Sequence, residues 1–312
     1  MKIVYNGEKD SRQFKSVIGE TVEALLNEDN KVVWLDADLM GCSGTNKIKS
    51  DRVINCGIAE ANMAGIAAGL SASGMKPYAH SFGPFASRRY FDQVFLAAGY
   101  AKNPITMIGT DPGITAAFNG GTHMPFEDVA LYRSLPEATI FDITDVPMLQ
   151  AALKMAKDMP GVKYIRVPRK DSYQVYEDGA SFTPGKAEVL REGKDGVIVA
   201  SGIMVHEALQ AAEALAKDGV EMTVIDPITI KPLDVDTIRK YAEETGLLVV
   251  AENHNHIGGL TSAVQEAVCG LALKFGYVAV EDVFGEVGPV DYLREKFDLT
   301  SDHIVKVVKG LK

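Results

Sequence analysis

Short apolar runs alternate with longer amphipathic stretches in the first part of the chain. The apolar runs are "KVVWLDA", "KPYAHSF", "PITMIGT", "ATIFDI" and "VKYIRV", and stretches such as "AEANMAGIAAGLSAS" and "PMLQAALKMAKDM" separate them. Apolar runs of this length, bounded by turn residues, predict buried strands, and the stretches between them have helical spacing. The alternation predicts a parallel sheet covered by crossover helices, that is, an α/β fold.

This alternation is interrupted once, after Arg169. The segment "KDSYQVYEDGASFTPGK" is polar and rich in turn residues, as a linker between domains would be. Strand and helix patterns then resume in "GVIVASG", "HEALQAAEALAKDG", "EMTVIDP", "DVDTIRKYAEET", "LLVVAEN" and "TSAVQEAVCGLALKFG". The sequence therefore predicts two α/β domains, residues 1–185 and 186–312.

Charge and cysteine usage exclude several classes of protein. The 312 residues carry a formal net charge of −10, which repels phosphates, so we expect no nucleic-acid or membrane partner. No stretch of about 18 uninterrupted apolar residues occurs, and "MKIVYNGEKDSRQF" lacks the apolar centre of an export signal. Cys42, Cys56 and Cys269 are widely separated, which favours neither disulfides nor a zinc site. A cytoplasmic location is expected.

One acid interrupts a run of small and apolar residues. Glu60 follows the short strand pattern "RVINCG" and opens a helical stretch in which Met63, Ile66 and Leu70 share one face. This places the carboxylate at the C-terminal end of a strand, where open parallel sheets usually bind ligands. The alternative is an acid that only stabilises the first helical turn, worth at most about 1 kcal/mol.

Two further motifs contain candidate functional side chains. Phe82 and Phe85 lie in a Gly-Pro turn after the next strand, where one ring can offer a face for stacking or both can pack into the core. His123 follows a Gly-Gly turn in "GGTHMPFED" and precedes a helix. A loop histidine can transfer protons near neutral pH, although a plain surface position is an equal alternative.

These motifs together resemble a known family. "DADL", "GIAEANMAGIAAGL", "SFGPF", "GGTHMPFEDVALYRSLP", "YIRVPR" and "ENHNHIGGLTSAV" follow one another as in the C-terminal half of transketolases, over essentially the whole chain. The resemblance implies thiamine diphosphate as cofactor, bound between the pyrimidine domain of one subunit and the diphosphate domain of another. Residues 1–185 resemble the pyrimidine-binding domain, and residues 186–312 resemble the family's C-terminal domain.

The resemblance also implies roles for individual residues. Glu60 matches the glutamate that hydrogen-bonds N1′ of the aminopyrimidine and so favours the tautomer that removes the C2 proton of the thiazolium. The other matching residues are the cofactor contacts Asp38, Phe82 and Phe85, the ketol contact His123, and the phosphate-binding arginines Arg12 and Arg166. The implied reaction breaks a ketose phosphate between C2 and C3 and passes the two-carbon unit to an aldose.

The chain departs from the family pattern in one large respect. It contains no "GDG" motif followed by the asparagine that completes the metal and diphosphate site, and "HNHIGG" lacks a Cys or acid to complete a metal site. We therefore expect a separate diphosphate-domain subunit to anchor Mg²⁺ and the diphosphate. An α2β2 assembly, in which this chain also contacts its own copy, is the expected minimum.

The substrate region departs as well. Asp111 stands at a usual histidine position, Asn119 where an aspartate contacts the sugar, and Cys42 near a phosphate-binding serine. His80 is considered as a replacement for the missing imidazole. Because an unmatched buried polar group is costly, these changes predict a different hydroxyl pattern in the substrate. The donor and the acceptor stay open.

Two other functions fit the same plan. The β subunit of a thiamine-dependent 2-oxoacid dehydrogenase has the same two domains and a corresponding glutamate, but "THMPFEDVALYRSLP" favours transketolase. A noncatalytic protein that retains the fold is the third possibility. Ketose-dependent extension of an aldose, 2-oxoacid decarboxylation, or neither reaction would distinguish the three.

Overall fold

The computed structural model describes residues 2–170 and 172–312. Met1 and Asp171, which belong to the predicted first domain and linker, lie outside the described residues. The strands are β1 (Val32–Asp36), β2 (Val53–Asn55), β3 (Lys76–Phe82), β4 (Ile105–Thr110), β5 (Thr139–Asp142), β6 (Val162–Val167), β7 (Glu188–Arg191), β8 (Gly196–Ala200), β9 (Met222–Asp226), β10 (Thr229–Lys231), β11 (Leu247–Asn255) and β12 (Lys274–Val280).

Helices cover both sheets. The α-helices are α1 (Phe14–Glu28), α2 (Met40–Ser43), α3 (Glu60–Ala72), α4 (Phe91–Gln93), α5 (Asp128–Ser134), α6 (Val146–Ala156), α7 (Met204–Lys217), α8 (Val235–Thr245), α9 (Leu260–Ala267), α10 (Val290–Lys296) and α11 (Ser301–Leu311). A π-helix, Val94–Tyr100, continues α4, and short 3₁₀ turns span Thr45–Lys47, Gly113–Asn119 and Gly121–His123. No helix of the described chain combines the length and apolarity that a membrane crossing requires.

The strands form two sheets, which confirms the predicted α/β fold. The first has the order β10-β5-β6-β4-β3-β1-β2 and the second the order β12-β11-β8-β9-β7. Pairing is parallel except at the edges, where β10 runs antiparallel to β5 and β7 runs antiparallel to β9. Because β10 comes from the C-terminal part of the chain, that part contributes an edge strand to the first sheet. The division at residue 185 stays a prediction.

Some elements differ from the sequence pattern. The stretch "TSAVQEAVCGLALKFG" contains not one helix but two elements, since α9 ends at Ala267 and β12 begins at Lys274. Gly270 lies between them with φ of 87°, a conformation that interrupts a helix and that glycine adopts without steric cost. Strands β7 and β10 are too short, at four and three residues, to produce a clear alternation.

Burial follows the spacing of apolar residues along the helices. In α3, Met63 is fully buried, and Ile66 and Leu70, which share its face, are partly buried against the same core. In α1, Phe14, Ile18 and Leu25 are buried, and this helix packs on α6. Helical spacing places these side chains on one stripe, and burying each large side chain contributes about 1.5–3 kcal/mol. Because buried helices pack against both sheets, the C-terminal ends of the strands, and the residues that follow them, are held in fixed positions.

Candidate active site

The candidate site lies along the C-terminal edge of the first sheet. In the order β6-β4-β3-β1-β2, the residues at or just beyond the strand ends are Arg169, Asp111, Phe82, Asp38 and Glu60. Neighbouring parallel strands end at the same edge, so side chains that are far apart in sequence meet there. Asp111, Phe82, Asp38 and Glu60 are sequence-predicted site residues. Arg169 was not predicted, and its place at this edge is seen only in the structure.

Glu60 is a buried acid that is paired with a cationic side chain. It is the first residue of α3 and only 3% exposed. Nη1 of Arg89 donates a hydrogen bond to its Oε1 at 2.6 Å, whereas the Arg89 side chain itself is 43% exposed. A buried carboxylate requires a compensating partner, and here the partner comes from a side chain with access to solvent. No motif in the sequence marks Arg89 as a partner of this acid.

Three rings form an aromatic wall next to this ion pair. We use that name for Phe82, Phe85 and His123: the His123 ring centroid lies 5.7 Å from that of Phe82 and 5.1 Å from that of Phe85, both with edge-on geometry. The guanidinium carbon of Arg89 lies 3.8 Å from the Phe85 centroid. That of Arg169 lies 5.1 Å from the Phe82 centroid. The structure thus brings Phe82, Phe85 and His123 together.

Close backbone contacts position the loop that contains His123. A Cβ at Gly121 would collide with the carbonyl oxygen of Gly285, and one at Gly120 would lie 2.7 Å from Val287. Gly120 also has φ of 79°, where other residues are strained. The segment that contacts the loop belongs to the C-terminal part of the chain. Hence the "GG" before His123 has a packing reason that the sequence alone does not show.

Asp111 and Arg169 form a second ion pair at the same edge. Nε of Arg169 lies 2.6 Å from Oδ2 of Asp111, and Nη1 of Arg169 donates to Sγ of Cys42 at 3.2 Å. Burial raises the pKa of the Asp111 carboxyl, and the Arg169 charge opposes this shift. Both residues also line a cavity of about 330 Å³ between the two parts of the chain. The signal for Arg169 was its place directly after β6 in "YIRVPR".

Two sequence-predicted residues are enclosed in the protein. Arg166 lies within β6, 1% exposed, and its guanidinium contacts Asp128 at 2.9 Å, Asp142 at 3.3 Å and the carbonyl oxygen of Asn253 at 2.6 Å. All of these partners are protein groups, one of them in β11, so the structure does not place Arg166 at the sheet edge. Of the two arginines in "YIRVPR", Arg169 is the one that reaches this edge.

His80 is likewise enclosed. It is fully buried in β3, with Nδ1 2.8 Å from Oδ2 of Asp36 and Nε2 3.1 Å from Oγ1 of Thr110. Its ring stacks on Trp34 with 5.7 Å between the centroids. Because both ring nitrogens have protein partners, the substrate role considered for His80 is not favoured by its surroundings. The histidine that reaches the site is His123.

Three sequence-predicted residues are accessible. Arg12 is bound by Asp10 and Asp178, at 2.7 and 2.8 Å. Asn119 is exposed at the end of a 3₁₀ turn, and Asp38 is exposed and exchanges two hydrogen bonds of 3.1 Å with Asn55. The structure therefore leaves Asp38 at the edge with Glu60, whereas two acids neutralise the Arg12 charge.

The chemistry of these side chains fits the pyrimidine end of thiamine diphosphate. A buried carboxylate beside aromatic faces suits a flat heteroaromatic ring that shares a proton, and a planar guanidinium already contacts both groups. Within residues 2–170 and 172–312, no group of three or more His, Cys, Asp or Glu side chains is placed to hold a metal ion.

Comparison with known proteins places the chain in a family. Residues 10–174 match the transketolase pyrimidine-binding domain and residues 185–304 match the transketolase C-terminal domain. The 6-deoxy-6-sulfo-D-fructose transketolase subunit SqwH of Clostridium sp. (strain MSTE9) is 46% identical, with 89% of this chain and 88% of that protein covered. Transketolase of Mus musculus is 33% identical over 95% of this chain and 48% of its own length.

A solved structure agrees. The chain described as "Split gene transketolase, inactive beta4 tetramer" superimposes with a TM-score of 0.88 at 36% identity, covering 97% of this chain and 98% of that one. The 2-oxoacid dehydrogenase alternative is less supported, because both domain models and these relatives are transketolases. The chain belongs to the transketolase family, as a transketolase-type transferase subunit with the pyrimidine-binding and C-terminal domains.

Proposed function

We propose that this chain completes a thiamine diphosphate site together with a separate diphosphate-domain subunit and transfers a two-carbon ketol unit from a ketose to an aldose. The observation that carries the proposal is the buried carboxylate of Glu60 next to the aromatic wall, at the edge where parallel sheets bind ligands. Thiamine diphosphate, when bound, supplies the electron sink for breaking the C2–C3 bond. We place the assembled enzyme in the cytoplasm.

Each side chain has a role in this proposal. Glu60 shares a proton with N1′ of the pyrimidine, and its burial strengthens that hydrogen bond because water does not compete. Phe82 and Phe85 orient the ring and exclude water. His123 holds or moves a proton at a hydroxyl of the sugar, and its ring is fixed by edge contacts with both phenyl groups. Asp38 contributes a polar group at the same edge.

The partner subunit anchors Mg²⁺ and the diphosphate in this proposal. The split-gene chain with 98% of its length covered is described as an inactive tetramer of β chains, which supports a need for a second kind of chain. Closed symmetric assembly favours two copies of each chain, an α2β2 enzyme in which this chain also contacts its own copy.

Coexpression with the diphosphate-domain subunit tests the proposal. We expect the two chains to copurify and, with thiamine diphosphate and Mg²⁺, to extend an aldose by two carbons at the expense of a ketose phosphate. Each chain alone should be inactive. Decarboxylation of a 2-oxoacid in place of ketol transfer, or no reaction with a broad donor screen, would contradict the proposal.

Arg169 is proposed to bind the anionic end of the donor, a role to which Arg12 is the sequence-predicted alternative. A guanidinium that reaches the sheet edge can hold two oxygens at once. We expect Arg169→Met to raise KM for the donor by about 10- to 100-fold, since a hydrogen bond to a charged group contributes about 1.5–3 kcal/mol. The matched Arg12→Met variant should raise KM less, because two acids, Asp10 and Asp178, bind that guanidinium, whereas Arg169 is paired with Asp111 and lies next to the aromatic wall. The opposite order would assign the role to Arg12.

A ketose with a terminal sulfonate is a second candidate donor. The 46% identical relative is named for 6-deoxy-6-sulfo-D-fructose. In addition, Asp111 already pairs with Arg169, so the second charge of a phosphate gains less attraction there than it would at an unpaired guanidinium, and a singly charged sulfonate loses little by comparison. The donor screen should therefore compare the sulfonate with the matching phosphate in the wild-type enzyme.

A further inference from the structure

We propose that the guanidinium of Arg89 occupies the place of the aminopyrimidine ring in the cofactor-free chain and must leave it before the cofactor is bound. This inference rests on the proposed function, since it assumes that the pyrimidine of thiamine diphosphate binds at Glu60. It assigns to Arg89 the role of an internal competitor for the cofactor.

The first observation is the contact with the acid. Arg89 Nη1 donates to Glu60 Oε1 at 2.6 Å, and this is the carboxylate that the pyrimidine nitrogen requires. Glu60 is the buried member of the pair and Arg89 the accessible one. Thus the arginine neutralises a carboxylate that would otherwise lie uncompensated in the protein.

The second observation is the contact with the aromatic face. The guanidinium carbon lies 3.8 Å from the centre of the Phe85 ring, the distance of direct stacking. A guanidinium is planar, carries a positive charge and donates hydrogen bonds in its plane. These are also the properties of a protonated aminopyrimidine. The guanidinium of Arg89 therefore contacts both groups that would hold the aminopyrimidine ring, the carboxylate of Glu60 and the face of Phe85.

The surroundings allow the side chain to move. Arg89 is 43% exposed, so an alternative position in solvent is open to it, whereas the side chain of Glu60 is only 3% exposed at the first turn of α3. The neighbouring Arg88 differs, since its Nε contacts Oε1 of Glu127 at 2.9 Å and it has no contact with Glu60 in the structure. Arg88 therefore provides a matched control.

Competition has a defined thermodynamic consequence. Where only a fraction of the molecules has an open site, the apparent dissociation constant is the intrinsic one divided by that fraction. Removing the competitor should lower the apparent Kd for thiamine diphosphate, by about tenfold if one molecule in ten is open in the wild type. A lysine keeps the charge but cannot stack as a plane, so it should compete less well than arginine.

Calorimetric titration of thiamine diphosphate into the complex with the diphosphate-domain subunit, at fixed Mg²⁺, tests the proposal. We expect Arg89→Ala to lower Kd about tenfold, Arg89→Lys to give an intermediate value, and Arg88→Ala to leave Kd unchanged. A crystal structure of the wild-type complex with cofactor should show the guanidinium away from Glu60 and Phe85.

The same experiments can contradict the competitor role of Arg89 and, separately, the proposed function. An unchanged or raised Kd in Arg89→Ala would overturn the role of Arg89 as a competitor for the cofactor. So would a guanidinium that still contacts Glu60 while the ring is bound, because Arg89 would then be a permanent partner of the acid. The wild-type titration reports separately on the proposed function. A wild-type complex that binds no thiamine diphosphate would overturn both the proposed function and the competitor role of Arg89. Tight binding by the wild type with no effect of Arg89→Ala would overturn the competitor role alone.

Discussion

Replacing Glu60 by glutamine is expected to lower kcat of the assembled enzyme by about 10²- to 10⁴-fold, the usual contribution of a positioned proton-transfer group. Glutamine keeps the size of the side chain and a hydrogen-bonding oxygen but cannot share a proton with the pyrimidine nitrogen. It also leaves Arg89 without a charged partner, although that guanidinium is accessible to water. Steady-state rates of aldose extension at saturating cofactor measure the effect.

The loss should be catalytic and not structural. Among the described residues, Arg89 is the side-chain partner of Glu60, and α3 has no side-chain cap, so circular dichroism and the unfolding midpoint should change little. Glu23→Gln, which alters an exposed acid on α1, is the control and should retain the wild-type rate. Full activity of Glu60→Gln in the complex would remove the basis of the proposed mechanism.

Replacing Arg166 by methionine is expected to lower the free energy of unfolding by about 3–5 kcal/mol, the usual effect of removing one partner of a buried ion pair. The variant leaves Asp128 and Asp142 without their cation. It also removes the hydrogen bond to the carbonyl oxygen of Asn253 in β11, which links the first sheet to the second. Urea unfolding measures the change.

Arg12→Met is the comparison for this variant. Arg12 is about one-third exposed and one of its two partners, Asp178, is well exposed, so we expect a loss of only about 0–1 kcal/mol. At temperatures far below its unfolding midpoint, Arg166→Met should keep a near wild-type KM for the donor. Wild-type stability with a large rise in KM would instead return Arg166 to the substrate-binding role that sequence resemblance implied.

Arg166 and Arg169 show that the sequence pattern alone does not predict which arginine is enclosed and which reaches the candidate site. Arg166 and Arg169 are three residues apart in "YIRVPR"; Pro168 between them signals a strand end, but nothing local shows that Arg166 is enclosed by carboxylates. In the fold, Arg166 points among buried carboxylates and Arg169 reaches Asp111 at the edge. The distinction depends on where β6 ends and on what β5 and β11 place beside it, which are long-range contacts.

His80 and His123 also differ in their surroundings, although the sequence offered both as candidates. His123 stood after a Gly-Gly turn, and the turn does place it at the aromatic wall. His80 lies two residues before Phe82 and therefore on the same face of β3, but it is inside the strand, where pairing with β1 encloses it against Asp36 and Trp34, whereas Phe82 is the last residue of the strand. Proximity in sequence to a site residue was therefore a poor guide to its surroundings.

The sequence by itself determined the α/β class, through apolar runs whose periodicity depends only on local spacing, and it located Glu60, Phe82, Phe85 and His123 at strand ends and turns. The tertiary structure alone decided that Arg89 binds Glu60, that Arg169 and not Arg166 reaches the site, and that β10 joins the first sheet. The physical reason is that periodicity records which face of an element is buried, whereas the partner of a charged side chain is set by the packing of elements that are distant in sequence.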